Sequence, residues 1–245
     1  MGKSGYSIYN IEQKKRTKHN VLTSLFPPLP NKKYDIIYAD PPWDYGGKMQ
    51  YDNSSKKDVN VDFEKDIFIS SAAFKYPTVE LDDLKKLNIR QITSDDCLLF
   101  MWTTGPQLAS AIELGKSWGF EFKTIAFIWD KMIHNPGRYT LSQTEQCLVF
   151  KKGKIPSPRG ARNIRQLFQQ PRTKHSEKPE YVVEGITQMF PNQVKIELFA
   201  RKSYVGWDNW GLESPDIGYN KENIIVDFVQ KTQSQQDLFS FAGIG

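Results

Sequence analysis

Tyr34-Asp35-Ile36-Ile37-Tyr38-Ala39-Asp40-Pro41-Pro42-Trp43 is the stretch on which the reading of this chain turns. Its β-branched, aromatic and small residues are bounded by Lys32-Lys33 on one side and two prolines on the other. That is the pattern of a buried parallel strand that stops abruptly. Pro41 and Pro42 hold φ near one value and lack N–H donors, so they end the strand and leave carbonyls free to face a pocket. One carboxylate, rigid acceptors and a large flat ring therefore stand together at the carboxyl end of a strand, where open α/β sheets place their ligands.

Downstream of Trp43, residues 44–74 are polar, mixed in charge and weakly periodic apart from a candidate strand at Asp66–Ser70. Loops this long are functional or disordered, and a substrate-contacting lid and simple disorder both stay open here. Thr78, after Tyr76-Pro77, can cap a helix carrying Leu81, Leu84 and Leu87. A strand is expected at Cys97–Thr104, then a helix opened by Gly105-Pro106 with Leu108, Ala111, Ile112 and Gly115 on one face and Gly119 at its end. Strands at Phe122–Trp129 and Gln146–Lys151 flank a polar loop. Pro179 starts a helix whose inner face is Val182, Val183, Ile186 and Met189, and the strand Val194–Ala200 follows. This alternation predicts an α/β protein with a mostly parallel twisted sheet and helices on both faces.

Working outward, residues 1–30 carry a basic cluster (Lys14, Lys15, Arg16, Lys18) and a Pro-rich joint, Phe26-Pro27-Pro28-Leu29-Pro30. We read them as an N-terminal segment before a main domain at 31–213, with 214–245 as a tail containing a Gln-rich connector. At 245 residues and 39% hydrophobic content the chain suits one core. No apolar run approaches ~18 residues, and the first thirty lack a signal-peptide core. An intracellular protein with no membrane contact is expected. Cys97 and Cys147 sit in apolar runs without Cys or His at metal-binding spacing, which predicts buried free thiols, no disulfide and no metal site.

The charge is unevenly spread. From Lys151 to Lys178 nine Lys or Arg face the single acid Glu177, a net of +8 in a chain whose total is +5, so the remainder carries −3. Such a footprint points to a nucleic-acid backbone, with Lys151, Lys152, Lys154, Arg159, Arg162, Arg165 and Arg172 as the expected phosphate contacts.

The acceptors of the opening stretch suit an amino group on a flat ring. The 6-amino group of adenine is a poor nucleophile because its lone pair is delocalised, and Asp40 with the Pro41 carbonyl could accept its two hydrogens. Trp43 could stack on the purine face. No G-x-G-x-x-G follows a strand, so a nicotinamide or flavin reading has no anchor.

Asp40-Pro41-Pro42-Trp43, then His175-Ser176-x-Lys178-Pro179, Lys195-Ile196-Glu197-Leu198-Phe199-Ala200-Arg201 and Gly206-Trp207-x-x-Trp210-Gly211 resemble, in order, the motifs of the MT-A70 adenine methyltransferases. The resemblance extends over about residues 34–213, with the catalytic strand ahead of the cofactor strand as in the β-class permutation of the Rossmann-like class I methyltransferase fold. It implies S-adenosylmethionine as cofactor and transfer of its methyl group to the 6-amino group of adenine, with Asp40, Pro41, Pro42 and Trp43 at the target amine. It further implies that Asp40, Lys178, Glu197, Leu198, Phe199, Arg201 and Glu213 hold the cofactor. Tyr76, Trp102, Trp129, Lys131 and Glu145 would line the base pocket. Leu212 departs from the pattern, since relatives often carry Asn there. DNA is favoured as substrate over RNA, because no RNA-binding module accompanies the motifs. A noncatalytic subunit of a heteromeric methyltransferase, a small-amine or protein-glutamine methyltransferase, and a homodimer or partner subunit stay open.

Overall fold

The computed structural model describes residues 26–44, 79–135, 139–172 and 177–215. The N-terminal basic cluster, the excursion after Asp44 with its candidate strand, Tyr76, Thr78, Lys174 to Ser176 and the tail beyond 215 lie outside the described residues.

Seven strands form one sheet: β1 (Tyr34–Ala39), β2 (Thr93–Thr103), β3 (Glu121–Asn135), β4 (Ser142–Lys152), β5 (Leu167–Gln169), β6 (Lys195–Leu198) and β7 (Asp208–Trp210), in the spatial order β5-β3-β4-β2-β1-β6-β7. Among the described residues three α-helices cover it: α1 (Leu81–Lys86), α2 (Leu108–Ser117) and α3 (Glu180–Met189). β1 lies between parallel β2 and β6, so both its edges are paired. Ile37 and Ala39 enter one core with Leu84 of α1 and Ala111 and Leu114 of α2. Ile36 and Tyr38 enter the other with Val182, Val183 and Ile186 of α3. The strand alternation thus feeds two cores, and each large side chain buried there stabilises the fold by roughly 1.5–3 kcal/mol.

β4 alone runs against the rest, pairing antiparallel with β2 and with β3. The mostly parallel sheet expected from alternating elements is what forms, and its one reversed strand has a local cause: only residues 136–141 join β3 to β4, which is too short for a crossover and makes a hairpin. The helix expected to start from a Thr78 cap begins at Leu81, with Glu80 in the cap position and no side-chain cap. Cys97 and Cys147 are both buried, one in each core, so the sheet separates them. Phe26 and Leu29 pack against the core and the Trp210 indole N–H donates to the carbonyls of Pro27 and Pro28, so the Pro-rich joint is part of the packed body.

After β1 the chain forms β2 beside it, passes to β3, turns back so that β4 fills the gap between β3 and β2, places β5 outside β3, and then returns through α3 to β6 on the other side of β1. The carboxyl ends of β1 and β6 therefore flank a topological switch point, the usual ligand crevice of an open α/β sheet.

Candidate active site

At the end of β1 the backbone turns within three residues, with the Trp43 N–H donating to the Pro41 carbonyl at 2.8 Å. The Val79 N–H takes the Pro42 carbonyl at 2.8 Å, and Trp43 and Val79 form a parallel bridge. Trp43 is pinned from both directions: its indole N–H reaches the Trp102 carbonyl at 3.2 Å and only 6% of its surface is exposed. Expected as an open stacking face, it is instead a wall of the core. The sequence could not show this, because the contacts that bury it come from β2 and from Val79.

Asp40 faces the crevice. Its Oδ2 accepts from Lys178 Nζ at 2.8 Å, and the same ammonium lies 3.5 Å from Glu145 Oε2 and 5.6 Å from the Trp102 ring centre. Glu145 Oε1 accepts from Lys131 Nζ at 3.4 Å. Four charges alternate in a row, Asp40, Lys178, Glu145 and Lys131, contributed by the ends of β1, α3, β4 and β3. Burial raises the Glu145 carboxyl, but the charges of Lys178 and Lys131 and their hydrogen bonds outweigh it and hold the group below its ordinary value. Trp102 and Trp129 meet edge to face at 6.2 Å beneath this row, with the Trp102 N–H on the Tyr38 hydroxyl at 2.5 Å and the Trp129 N–H on the Gln170 carbonyl at 2.7 Å. Asp40, Trp102, Trp129, Lys131, Glu145 and Lys178, scattered over the chain, are thus one assembly; Tyr76 is outside the described residues.

Two clefts open from it. Trp129, Gln170, Pro171, Lys178 and Pro179 line one. Asp40, Pro42, Phe199, Arg201, Leu212 and Glu213 line the other, together with Phe26, which stacks on Trp210 with ring centres 5.2 Å apart. In the second cleft Phe199 has a left-handed φ of 61°, and a Cβ on Gly211 would come within 2.8 Å of its Cα, so the two backbones approach as closely as glycine allows. Arg201 Nε pairs with Glu213 Oε2 at 3.0 Å. Glu197 is buried next to this cleft, with Oε2 lacking a hydrogen-bond partner. Burial first, and then the negative charge of Asp40, push its carboxyl up to about 8. An orphaned buried carboxyl beside Asp40, a shared ammonium, and an Arg–Glu pair form a donor and acceptor set for a ligand that bears an ammonium, a carboxylate and hydroxyls.

Phe26, Tyr38 and Gln170 were not anticipated. Phe26 sits in a Phe-Pro-Pro joint that reads as a boundary, and Tyr38 looks like any aromatic of a buried strand.

The fold divides the basic segment, which corrects the single phosphate-binding patch expected from it. Because β4 runs downward, Lys151 and Lys152 lie beside the start of β2; Lys152 Nζ is tied to Thr93 Oγ1 at 2.7 Å and to the Ser94 carbonyl at 3.1 Å. Lys154 follows at that same end, and Arg159 lies 5.4 Å over the Phe190 ring at the end of α3 farthest from Lys178. The chain then climbs past exposed Arg162 to Arg165, whose carbonyl accepts from Tyr181, and on through β5 to exposed Arg172. Arg172 directly follows Gln170 and Pro171, which line the first cleft, and Arg165 lies beside the first turn of α3.

A mostly parallel sheet with one reversed strand and a switch point beside β1 is the Rossmann-like architecture of class I methyltransferases. The family model described as MT-A70 matches residues 34–213, and the chain belongs to that family. The chain is 68% identical over 213 residues to "Type II methyltransferase M.MunI" of a Mycoplasma species, covering 87% of this chain and 91% of that protein. It is 27% identical over 211 residues to the mouse N(6)-adenine-specific methyltransferase METTL4 and 25% identical over 206 residues to an Arabidopsis thaliana "N(6)-adenosine-methyltransferase MT-A70-like" protein. Those two matches cover 78% and 80% of this chain but only 40% and 26% of the relatives.

Proposed function

We propose that this chain transfers a methyl group from S-adenosylmethionine to the 6-amino group of an adenine in DNA, with the base turned out of the helix into the crevice. The observation that carries the reading is the row Asp40, Lys178, Glu145, Lys131 at the switch point, with Asp40 on a proline-stiffened strand end. The Type II methyltransferase at 68% identity supports the choice of DNA.

The cofactor supplies an electrophilic methyl group on a sulfonium sulfur. The residues present fit it: Glu197 and Asp40 for its ammonium, Lys178 for its carboxylate, and Arg201 with Glu213 for its ribose hydroxyls. Leu198 and Phe199 shape the turn beneath. Asp40 and the second lone pair of the Pro41 carbonyl accept the two amino hydrogens and draw the nitrogen lone pair out of the ring. Asp40 then receives the proton that the amine sheds once it carries the new methyl group. A strong base is unnecessary, because the alkylated nitrogen is acidic, and positioning supplies most of the effect. Glu145 and Lys131 hold Lys178 in place from behind. Asp40 is largely buried at the strand end, where a stacked adenine cannot reach it, so the base must leave the duplex.

The test is transfer of labelled methyl from S-adenosylmethionine to unmethylated double-stranded DNA, single-stranded DNA and RNA in parallel, followed by nucleoside digestion and mass analysis. Labelled 6-methyldeoxyadenosine is expected, with at least a hundredfold loss of turnover in Asp40→Asn at saturating cofactor. Label confined to adenosine would move the substrate to RNA. Cofactor binding without label in any nucleic acid would identify a noncatalytic subunit.

A further inference from the structure

Nine large apolar side chains are exposed among the described residues, and four of them, Met132, Ile133, Tyr139 and Leu141, lie on the β3–β4 hairpin. This hairpin continues past Trp129 and Glu145, which pair across the two strands at the level of the site, and so overhangs the crevice. Their exposures, 57% for Met132, 50% for Ile133, 93% for Tyr139 and 61% for Leu141, mean that they add little to the core. The overhang is also built. Asp130 pairs with Thr144 and Asn135 with Ser142, so four residues of β3 face one of β4 in a wide bulge. Met132 takes a left-handed φ of 56°, and its N–H is held by Asp130 Oδ1 at 2.9 Å. Gln143 and Gln169 donate to the same carboxylate at 2.6 and 3.0 Å, tying the hairpin base to both neighbouring strands. Bulges next to active sites re-aim side chains, and strain in a non-glycine residue persists where its surroundings enforce it. Residues 131–144, beyond Asp130 and Glu145 at the base, contain no Asp or Glu to repel phosphate.

We infer that this hairpin is the wedge that opens the duplex: Ile133, Tyr139 and Leu141 insert into the base stack beside the target adenine and occupy the space it leaves. Apolar side chains pushed between base steps unstack them, and an adenine presented to the crevice needs that help only while it is paired. The inference rests on the DNA reading above.

Adenines methylated by the wild type in plasmid DNA define the target. Duplexes then carry 2-aminopurine at that position, to report unstacking by fluorescence, or adenine opposite an abasic site, where the base is already loose. The triple variant Ile133→Ser, Tyr139→Ala, Leu141→Ser is expected to lose at least half of the fluorescence rise. It should also lose about tenfold in kcat/KM on the paired duplex and less than twofold opposite the abasic site, because most of the flipping cost is absent there. Ile155→Ser, an exposed apolar residue at the other end of the sheet, should change neither. Equal losses on both duplexes with the fluorescence rise intact would overturn the wedge. So would an unchanged ratio accompanied by a shift in sedimentation, which would assign the hairpin to a contact between copies. If the wild type methylates no adenine in DNA, the DNA reading and the wedge fall together; methylated DNA with an indifferent triple variant sinks the wedge alone.

Discussion

Two lysines, Lys195 buried and Lys178 partly buried, stand at opposite ends of α3, and they are satisfied in opposite ways. Lys195 places Nζ against the carbonyls of Phe190, Pro191 and Gln193 at 2.9, 3.3 and 2.7 Å. Burial pushes its pKa down, and the ammonium closes the carboxyl end of the helix, where a cation is favoured. Lys178, just before the first turn, lies against the carboxylates of Asp40 and Glu145 and the Trp102 ring. Fixed carbonyls are covalently part of the fold and have no alternative role. A carboxylate shared with a second cation can be released to a ligand without leaving a buried charge alone. The difference separates a lysine that holds the structure from one poised for exchange.

The sharpest way to break this contrast is Lys178→Met. It leaves Asp40 without its 2.8 Å partner and should lower kcat/KM by more than tenfold with the urea midpoint little changed, read by methyl transfer and by unfolding. Lys195→Met should do the reverse. Three carbonyls, two of them buried, lose their donor, costing about 2 kcal/mol in urea unfolding, while kcat stays within twofold. A large fall in kcat at unchanged stability for Lys195→Met would erase the distinction.

A third measurement sharpens the electrostatics of the site end. Glu197 titrates at about 8 in the folded chain against an ordinary 4.5. Between those values the folded state keeps a proton that the unfolded state has lost, so this group removes stability as pH rises through the window and removes no more above it. Without ligand, Glu197→Gln should therefore gain Tm over the wild type on going from pH 5 to pH 8, followed by calorimetry. A constant gap across that range would show that burial does not hold the proton there.

The smallest effect concerns phosphate contacts. Arg165→Gln with Arg172→Gln should reduce the slope of log K for DNA against log salt by about 2, since each neutralised phosphate contributes about 0.9. Lys151→Gln with Lys152→Gln, at the other end of the sheet, should leave it unchanged.

Local chemistry explains what could be read before the fold was seen. β1 was legible because an apolar run ended by two prolines has few alternatives, and the inner face of α3 because Val182, Val183 and Ile186 recur at helical spacing. The reversal of β4 was not legible, since an apolar strand has the same composition in either direction and only its short link to β3 decides. That reversal carried Lys151 and Lys152 away from the clefts. The burial of Trp43 depended on Trp102 and Val79, both far along the chain.

The sequence by itself determined that a carboxylate would stand at a proline-stiffened strand end and that this chain carries the ordered motifs of its family, because strand propensity and proline geometry act over a few residues. Only the tertiary structure decided that Lys178 lies between Asp40 and Glu145 and that the basic segment divides between the two ends of the sheet. Those outcomes depend on strand order and direction, which are set by the burial of two cores at once.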